Sequence, residues 1–166
     1  MKFNGNIESQ EDIVSYIKEI AKKEDEIIDE LLKVFKGTTD FWIKNKIAMF
    51  LRKYNNDKIP EAFIEEIKKP ESKNYDGTIV DCCSYFDCTK HFRFFIDIVL
   101  NDNTESYLWA MEVIGRMDGP FKLSELNAAI ELLQSAINEK QHPDKIPYYA
   151  KLLNFLLEEK VNNVVT

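Results

Sequence analysis

The chain has 166 residues, of which 45% are hydrophobic and 12% aromatic, so it carries enough apolar material for a compact core and is not typical of a disordered chain. Only 5 Gly and 5 Pro are present, which argues against the many tight turns of a β-sandwich or barrel and favours helices joined by short loops. The formal net charge is −7, which makes nucleic acid a poor partner, because binding to phosphates requires a basic face.

The N-terminal residues and the cysteines indicate the compartment. The opening stretch, MKFNGNIESQEDIV, lacks the apolar segment of a signal peptide, and no apolar run reaches the roughly 18 residues of a bilayer span. Three cysteines lie within seven positions, whereas a disulfide framework distributes an even number along the chain. We therefore expect a cytoplasmic protein with reduced thiols and no membrane segment.

Apolar residues recur at helical spacing along the first half of the chain. Residues 9–36 are predicted to form either one long helix or two, broken near residues 22–24, and both alternatives stay open. Asp40, together with Thr39, is predicted to cap the next helix, whose apolar stripe includes Trp42. Pro60 is predicted to lie in the first turn of the following helix, and residues 70–77 to form the longest loop.

The second half of the chain continues the same pattern. Helices are predicted over 79–86 and 92–100. A third helix is predicted to begin after a cap at Thr104, a fourth runs from Leu123 to Ile137, and a fifth lies around residues 149–156. The last six residues, VNNVVT, are rich in β-branched side chains and are not predicted to be helical. The sequence thus predicts an all-α chain of eight or nine antiparallel helices without a sheet.

An irregular repeat runs through the helices. A small or medium apolar residue is followed three positions later by another, and the first members lie 32, 30 and 40 residues apart, in the pairs Ala48/Leu51, Val80/Cys83, Ala110/Val113 and Ala150/Leu153. Paired helices that recur every 30–40 residues are typical of a solenoid, because each pair needs its neighbours to cover its apolar face. The alternative is an irregular helical bundle.

Over residues 39–160 the chain resembles HEAT-like α-solenoids. The clearest stretch is 102–117, DNTESYLWAMEVIGRM, which is similar to the polar turn and first helix of a HEAT unit, although the other predicted units lack the glycine. The domain prediction is therefore a single domain of residues 1–166, with an N-terminal helical cap at 9–36 and HEAT-like helical hairpins at 39–160.

The resemblance implies several functions. Small acidic solenoids resemble the HEAT-like immunity proteins with which bacteria neutralise toxins, but the fold class also includes alkylpurine DNA glycosylases, phycobiliprotein lyases and adaptors. Residues 70–119 carry 9 acidic and 4 basic side chains, which is unsuited to the basic groove of a glycosylase. The favoured hypothesis is a non-catalytic immunity protein that occludes a basic toxin domain through an acidic surface.

The same acidic segment supplies the predicted binding residues. Carboxylates steer the association of a basic protein and aromatic side chains anchor it, so a segment rich in both is typical of a protein-binding surface. The predicted partner-binding residues are Asp81, Asp87, Asp97, Asp102, Glu105 and Tyr107. Trp109 is expected in the core, because tryptophan is largely buried on average.

The cluster Cys82, Cys83, Cys88 and His91 is the stretch most similar to a zinc site or a nucleophile–base pair. Adjacent cysteines on a helix point about 100° apart, and Cys82 and Cys83 continue an apolar stripe, so they are expected to pack as small hydrophobic residues. A turn at Cys88 would expose its thiol, but no third catalytic group is evident. We predict no catalytic residue, no cofactor, no metal and no small-molecule substrate.

Overall fold

The computed structural model describes residues 24–73, 75–102 and 105–162, and every regular element in these ranges is helical. They contain eight α-helices: α1 Glu24–Gly37, α2 Phe41–Leu51, α3 Lys58–Ile67, α4 Gly77–Cys83, α5 Phe92–Asn101, α6 Ser106–Gly115, α7 Leu123–Asn138 and α8 Ile146–Asn162. Short 3₁₀ turns occupy Pro70–Ser72, Thr89–His91 and Pro143–Lys145. The all-α prediction is confirmed. None of the helices in the described ranges is long and apolar enough to cross a bilayer.

Helix α2 begins where its sequence predicts. Asp40 has extended backbone angles, and one of its carboxylate oxygens accepts hydrogen bonds from the backbone N–H groups of Trp42, at 2.8 Å, and Ile43, at 3.3 Å. These two N–H groups have no partner within the helix, so the carboxylate satisfies them and lies at the positive end of the helix dipole. The predicted cap at Asp40 is confirmed.

The chain divides into two compact units with their boundary between Cys82 and Cys83. In the first unit, α1 packs against α2 and α3, and α3 contacts the Pro70–Ser72 turn. In the second, α5 packs against α6 and α7, and α7 packs against α8. The single-domain prediction stays a prediction, because the compactness of a unit does not establish whether it folds alone.

Packing between neighbouring helices occurs in solenoids and in bundles alike. Each unit has its own apolar centre: Phe35 and Phe63 pack with ring centroids 5.4 Å apart in the first, and Phe92 and Phe121 at 4.9 Å in the second. These contacts support an all-α architecture built from neighbouring helices and do not confirm the solenoid.

A buried ionic cluster joins three elements of the first unit. Glu66 is 1% exposed, and one of its carboxylate oxygens accepts from the Lys44 ammonium at 2.5 Å and from the Ser72 hydroxyl at 2.8 Å. Its other carboxylate oxygen accepts from the Lys69 ammonium at 2.7 Å. The cluster holds the Pro70–Ser72 turn against α2 and α3, so the predicted loop at 70–77 contains an ordered turn at its start.

Several local predictions were wrong. Trp42 is 45% exposed, because α2 turns Ile43, Ile47 and Leu51 into the core and leaves Trp42 on the opposite side. Helix α4 ends at Cys83, three residues before its predicted end. Helix α8 continues through Asn162, two residues into the tail that was expected to be non-helical.

Other predictions lie outside the described residues. The structure describes the helix Glu24–Gly37 but not residues 9–23, so the choice between one helix and two over 9–36 stays open. The predicted cap at Thr104 also falls outside the described residues.

Candidate partner-binding surface

The six predicted binding residues are divided between the two units. Asp81 belongs to α4 in the first unit. The other five belong to the second: Asp87 precedes α5, Asp97 lies within it, Asp102 follows it, and Glu105 and Tyr107 lie at the start of α6. The acidic run of the sequence is therefore spread over separate elements, and each residue has its own surroundings.

Two of the predicted carboxylates are paired with arginines. Asp81 lies 3.8 Å from the guanidinium of Arg52, and Asp97 lies 3.2 Å from Nε of Arg93 one helical turn away. The first pair is half-buried and the second is exposed, and in both the guanidinium offsets part of the negative charge that a partner would meet. These two positions are weaker contributors to an acidic surface than their sequence suggests.

Asp87 organises a turn. Its carboxylate accepts from the backbone N–H of Thr89 at 2.9 Å and from the hydroxyl of Thr89 at 2.5 Å. Burial raises the pKa of Asp87, but hydrogen bonds from Thr89 and from the backbone N–H of Asp118, together with the charge of Lys90, outweigh burial, and the pKa falls below its usual value. The Thr89 hydroxyl also accepts from the backbone N–H of Gly119 at 3.2 Å. Asp87 thus fixes the entry to α5.

Asp102 and Tyr107 meet at a buried lysine. Lys145 is 3% exposed, its ammonium donates to the backbone carbonyl of Asp102, and it lies 4.5 Å from the centroid of the Tyr107 ring. The ring and the carbonyl replace part of the hydration that the ammonium loses on burial. Burial lowers the pKa of Lys145, and the nearby carboxylates of Asp102 and Asp144 offset part of this shift.

Tyr107 also contacts the last helix. Its ring packs edge to face on Tyr148 with centroids 5.5 Å apart. Burial raises the pKa of Tyr107, and the neighbouring Tyr148 and Asp144 raise it further, so the hydroxyl stays protonated at neutral pH. The structure therefore brings two predicted residues, Asp102 and Tyr107, to the margin between α6 and α8.

A shallow groove of about 320 Å³ lies between α6 and α8. We call it the α6–α8 groove, and it is lined by Leu108, Met111, Glu112, Gly115, Tyr148, Lys151, Leu152 and Phe155. Leu108 and Tyr148 are each 38% exposed although both are large and largely apolar. The space beside Gly115 is open, since a Cβ atom at this position would have no neighbour within 4 Å.

The exposed apolar surface continues beyond the groove. Trp109 is 39% exposed, so its predicted place in the core was wrong: α6 buries Ala110, Val113 and Ile114 instead. Glu112 on the groove rim pairs with Arg116 at 2.7 Å. Exposed apolar and aromatic side chains beside a concave surface with a charged rim are typical of protein-binding sites.

The cysteines are free thiols and are packed as core residues. Cys82, Cys83 and Cys88 are all buried, which confirms the prediction for the first two and shows that the turn after α4 does not expose Cys88. The Cys88 thiol instead donates to the carbonyl of Cys83 at 3.5 Å. Burial raises the pKa of Cys82 to about 12, and the nearby Asp81 adds to the shift, so this thiol is not a thiolate nucleophile at neutral pH.

In the described ranges, no three His, Cys, Asp or Glu side chains are grouped so that they could hold a metal ion.

Neither Lys145, which lies beside Tyr107, nor Tyr148, which lines the groove, was predicted as a site residue from the sequence. Lys145, Tyr149, Leu152 and Leu156 share one helical stripe, and all four are buried. That spacing of four, three and four residues is the signal that could have identified Lys145 as an inward-facing lysine. No comparable signal separates Tyr148 from Tyr149, because only packing decides which of the two adjacent rings is exposed.

No protein-family model matches the chain, and neither the curated proteins nor the solved structures searched contain a match.

Proposed function

We propose that this chain is a non-catalytic protein-binding module that acts as an immunity protein and neutralises a basic toxin domain by covering its functional surface. The observation that carries the proposal is the α6–α8 groove with the exposed side chains of Leu108, Trp109 and Tyr148 around it. Large apolar side chains left in water on a folded surface are a free-energy cost that a bound partner removes.

Charge defines the class of partner. Residues 83–166 carry 12 acidic and 8 basic side chains, and the whole chain has a net charge of −7. Asp102, Glu105 and Asp144 belong to the segments that meet near Tyr107. A basic domain would be attracted by this field and then held by apolar contact in the groove.

Inhibition would follow from occlusion alone. An apolar side chain of the toxin would enter the groove between Leu108 and Tyr148, and the surrounding contacts would exclude water from it. The bound chain would then block access of the toxin's substrate. No bond is made or broken by this chain in such a mechanism.

The test takes each basic domain encoded by the genes that neighbour this one as a candidate toxin, and measures its activity with and without this chain. Replacing Leu108→Arg places a charge in the groove, and we expect the dissociation constant to rise at least about a hundredfold, the size of effect typical of a central contact. Tyr148→Ala should weaken binding in the same direction, since it removes the second wall.

The matched control is Leu123→Arg, because Leu123 is 44% exposed in the same unit but does not line the groove. Binding by this control should equal that of the wild type, and far-UV circular dichroism should show all three variants folded. Equal weakening by the control, or failure of the wild type to reduce toxin activity at stoichiometric concentration, would exclude the proposal. Binding without loss of toxin activity would favour an adaptor.

A further inference from the structure

Helix α2 in the first unit has an exposed face that combines large apolar side chains with lysines, unlike the α6–α8 groove, which was proposed to bind a basic partner. Trp42 and Met49 are 45% and 44% exposed. Lys46 lies between them in the sequence and Lys53 lies in the turn after the helix, and the four side chains share one side of α2 and of this turn. Their spacing of four, three and four residues is the helical repeat. We call these four residues the α2 face.

The cations of the α2 face are held over aromatic rings. The Lys46 ammonium lies 5.5 Å from the centroid of the Trp42 ring, and the Lys53 ammonium lies 3.8 Å from that of Phe50 and 5.1 Å from that of Tyr54. No described carboxylate pairs with either lysine, and residues 41–54 contain no acidic residue at all. Among the described residues, aromatic rings are therefore the neighbours that orient these two lysines, and an ammonium over a ring keeps N–H groups that can donate to an anion.

We propose that the α2 face binds an acidic amphipathic segment of a protein partner, with carboxylates on Lys46 and Lys53 and apolar side chains on Trp42 and Met49. Charge complementarity selects the occupant, because the α2 face carries two ammonium groups and residues 41–54 contain no carboxylate to neutralise them. The distance from Trp42 to Lys53 corresponds to about 16 Å along a helix, which matches three turns of a helical partner.

A nucleic acid fits this face less well. Single strands bind through base stacking on open aromatic faces, and the rings of Phe50 and Trp42 are already covered on one side by ammonium groups. This inference does not depend on the proposed immunity function, since the basic toxin and the acidic segment are different ligands.

The experiment uses the full chain carrying Trp109→Phe, so that Trp42 is the single tryptophan and reports binding by its fluorescence. The probe is a fluorescein-labelled synthetic helical peptide with a leucine stripe flanked by glutamates, and its twin has lysine in place of every glutamate. We expect saturable binding of the acidic peptide with a change in Trp42 emission, and no binding of the basic twin.

Lys53→Glu should weaken binding of the acidic peptide by roughly tenfold or more, because it replaces attraction by repulsion. Lys33→Glu makes the same charge change at an exposed position of α1 and should leave the affinity within about twofold, since Lys33 is not part of the α2 face and exposed charges without direct contact are screened by salt. Met49→Ala should weaken binding without altering its salt dependence.

Three results would overturn the inference. The first is equal binding of the two peptides, or none at millimolar concentration. The second is an equal effect of Lys53→Glu and Lys33→Glu. The third is preferential binding of oligo(dT) or of vesicles containing phosphatidylserine, which would assign the α2 face to another class of partner.

Discussion

Glu66 illustrates how a charged side chain can be accommodated in the core. Burial raises the pKa of its carboxyl group, but hydrogen bonds from Lys44, Lys69 and Ser72 outweigh burial and lower the pKa below its usual value of 4.5. The folded state therefore favours the carboxylate. A buried ion pair of this kind is costly to break, because the charge that remains has lost both water and its partner.

Replacing Lys44→Met tests this dependence. The methionine keeps an apolar side chain at this buried position, where the Lys44 ammonium lies 5.7 Å from the centroid of the Phe35 ring and 5.8 Å from that of Phe41, but it leaves the Glu66 carboxylate without its buried cation. We expect the free energy of unfolding at neutral pH to fall by about 3–5 kcal/mol, measured by urea denaturation. The control, Lys33→Met on the exposed side of α1, should change it by less than about 0.5 kcal/mol. Similar effects of the two substitutions would contradict the assigned role of Lys44.

The pH dependence has a definite sign. Because the pKa of Glu66 is lowered by folding, its contribution to stability is fully present above its unfolded value of about 4.5 and is lost as the pH falls through the folded value. Urea denaturation of the wild type and of Glu66→Gln should therefore differ most at neutral pH and converge below pH 4.5. A difference between the two proteins that stays constant from pH 7 to pH 3 would contradict this assignment.

At the scale of the helix, two aspartates at equivalent positions behave differently. Asp40 caps α2 through hydrogen bonds to two backbone N–H groups, whereas Asp57, at the same position before α3, makes no capping bond with its side chain. Asp40→Ala should lower the free energy of unfolding by about 1 kcal/mol, and Asp57→Ala by a smaller amount. Thermal melts of the two variants, read by circular dichroism, provide the comparison, and a larger loss for Asp57→Ala would refute the capping argument.

Helix positions were predictable where local signals decide them. Asp40 before α2 and the long apolar stripe of α7 are such signals, and both elements begin where the sequence predicts. The orientation of single residues was less predictable. Trp42 and Trp109 are exposed although tryptophan is usually buried, because the stripes that face the core are set by smaller neighbours.

Buried charges escaped prediction for a related reason. Lys44 is buried because Glu66, 22 positions later, accepts from it, and Lys145 is buried because Asp102 and Tyr107 surround it. Each contact joins residues that are distant in sequence, so the spacing of apolar residues within one helix does not predict it. The candidate site was therefore predicted only at Asp102 and Tyr107, and the α6–α8 groove beside them was not predicted.

The net charge acts on the molecule as a whole. With a net charge of −7, the chain attracts a basic partner at distances beyond direct contact. For the proposed basic toxin domain, the association rate constant should fall as NaCl is raised, while the dissociation rate constant should change little if the proposed apolar contact in the α6–α8 groove sets it. Surface plasmon resonance over a range of salt concentrations measures both, and an association rate that does not depend on salt would contradict electrostatic steering.

The burial of the cysteines has a practical consequence. A thiol that solvent cannot reach reacts with iodoacetamide only when the surrounding structure opens. The alkylation rate of each cysteine therefore measures how often the structure around it opens. Cys82 belongs to the first compact unit, and Cys83 and Cys88 to the second. We expect slow alkylation in buffer that accelerates in urea, and rates equal to those of a free cysteine in buffer would contradict it. Because Cys82 and Cys83 both belong to α4 and Cys88 follows that helix, mass spectrometry of the modified cysteines would then show whether α4 and the turn before α5 open together or separately.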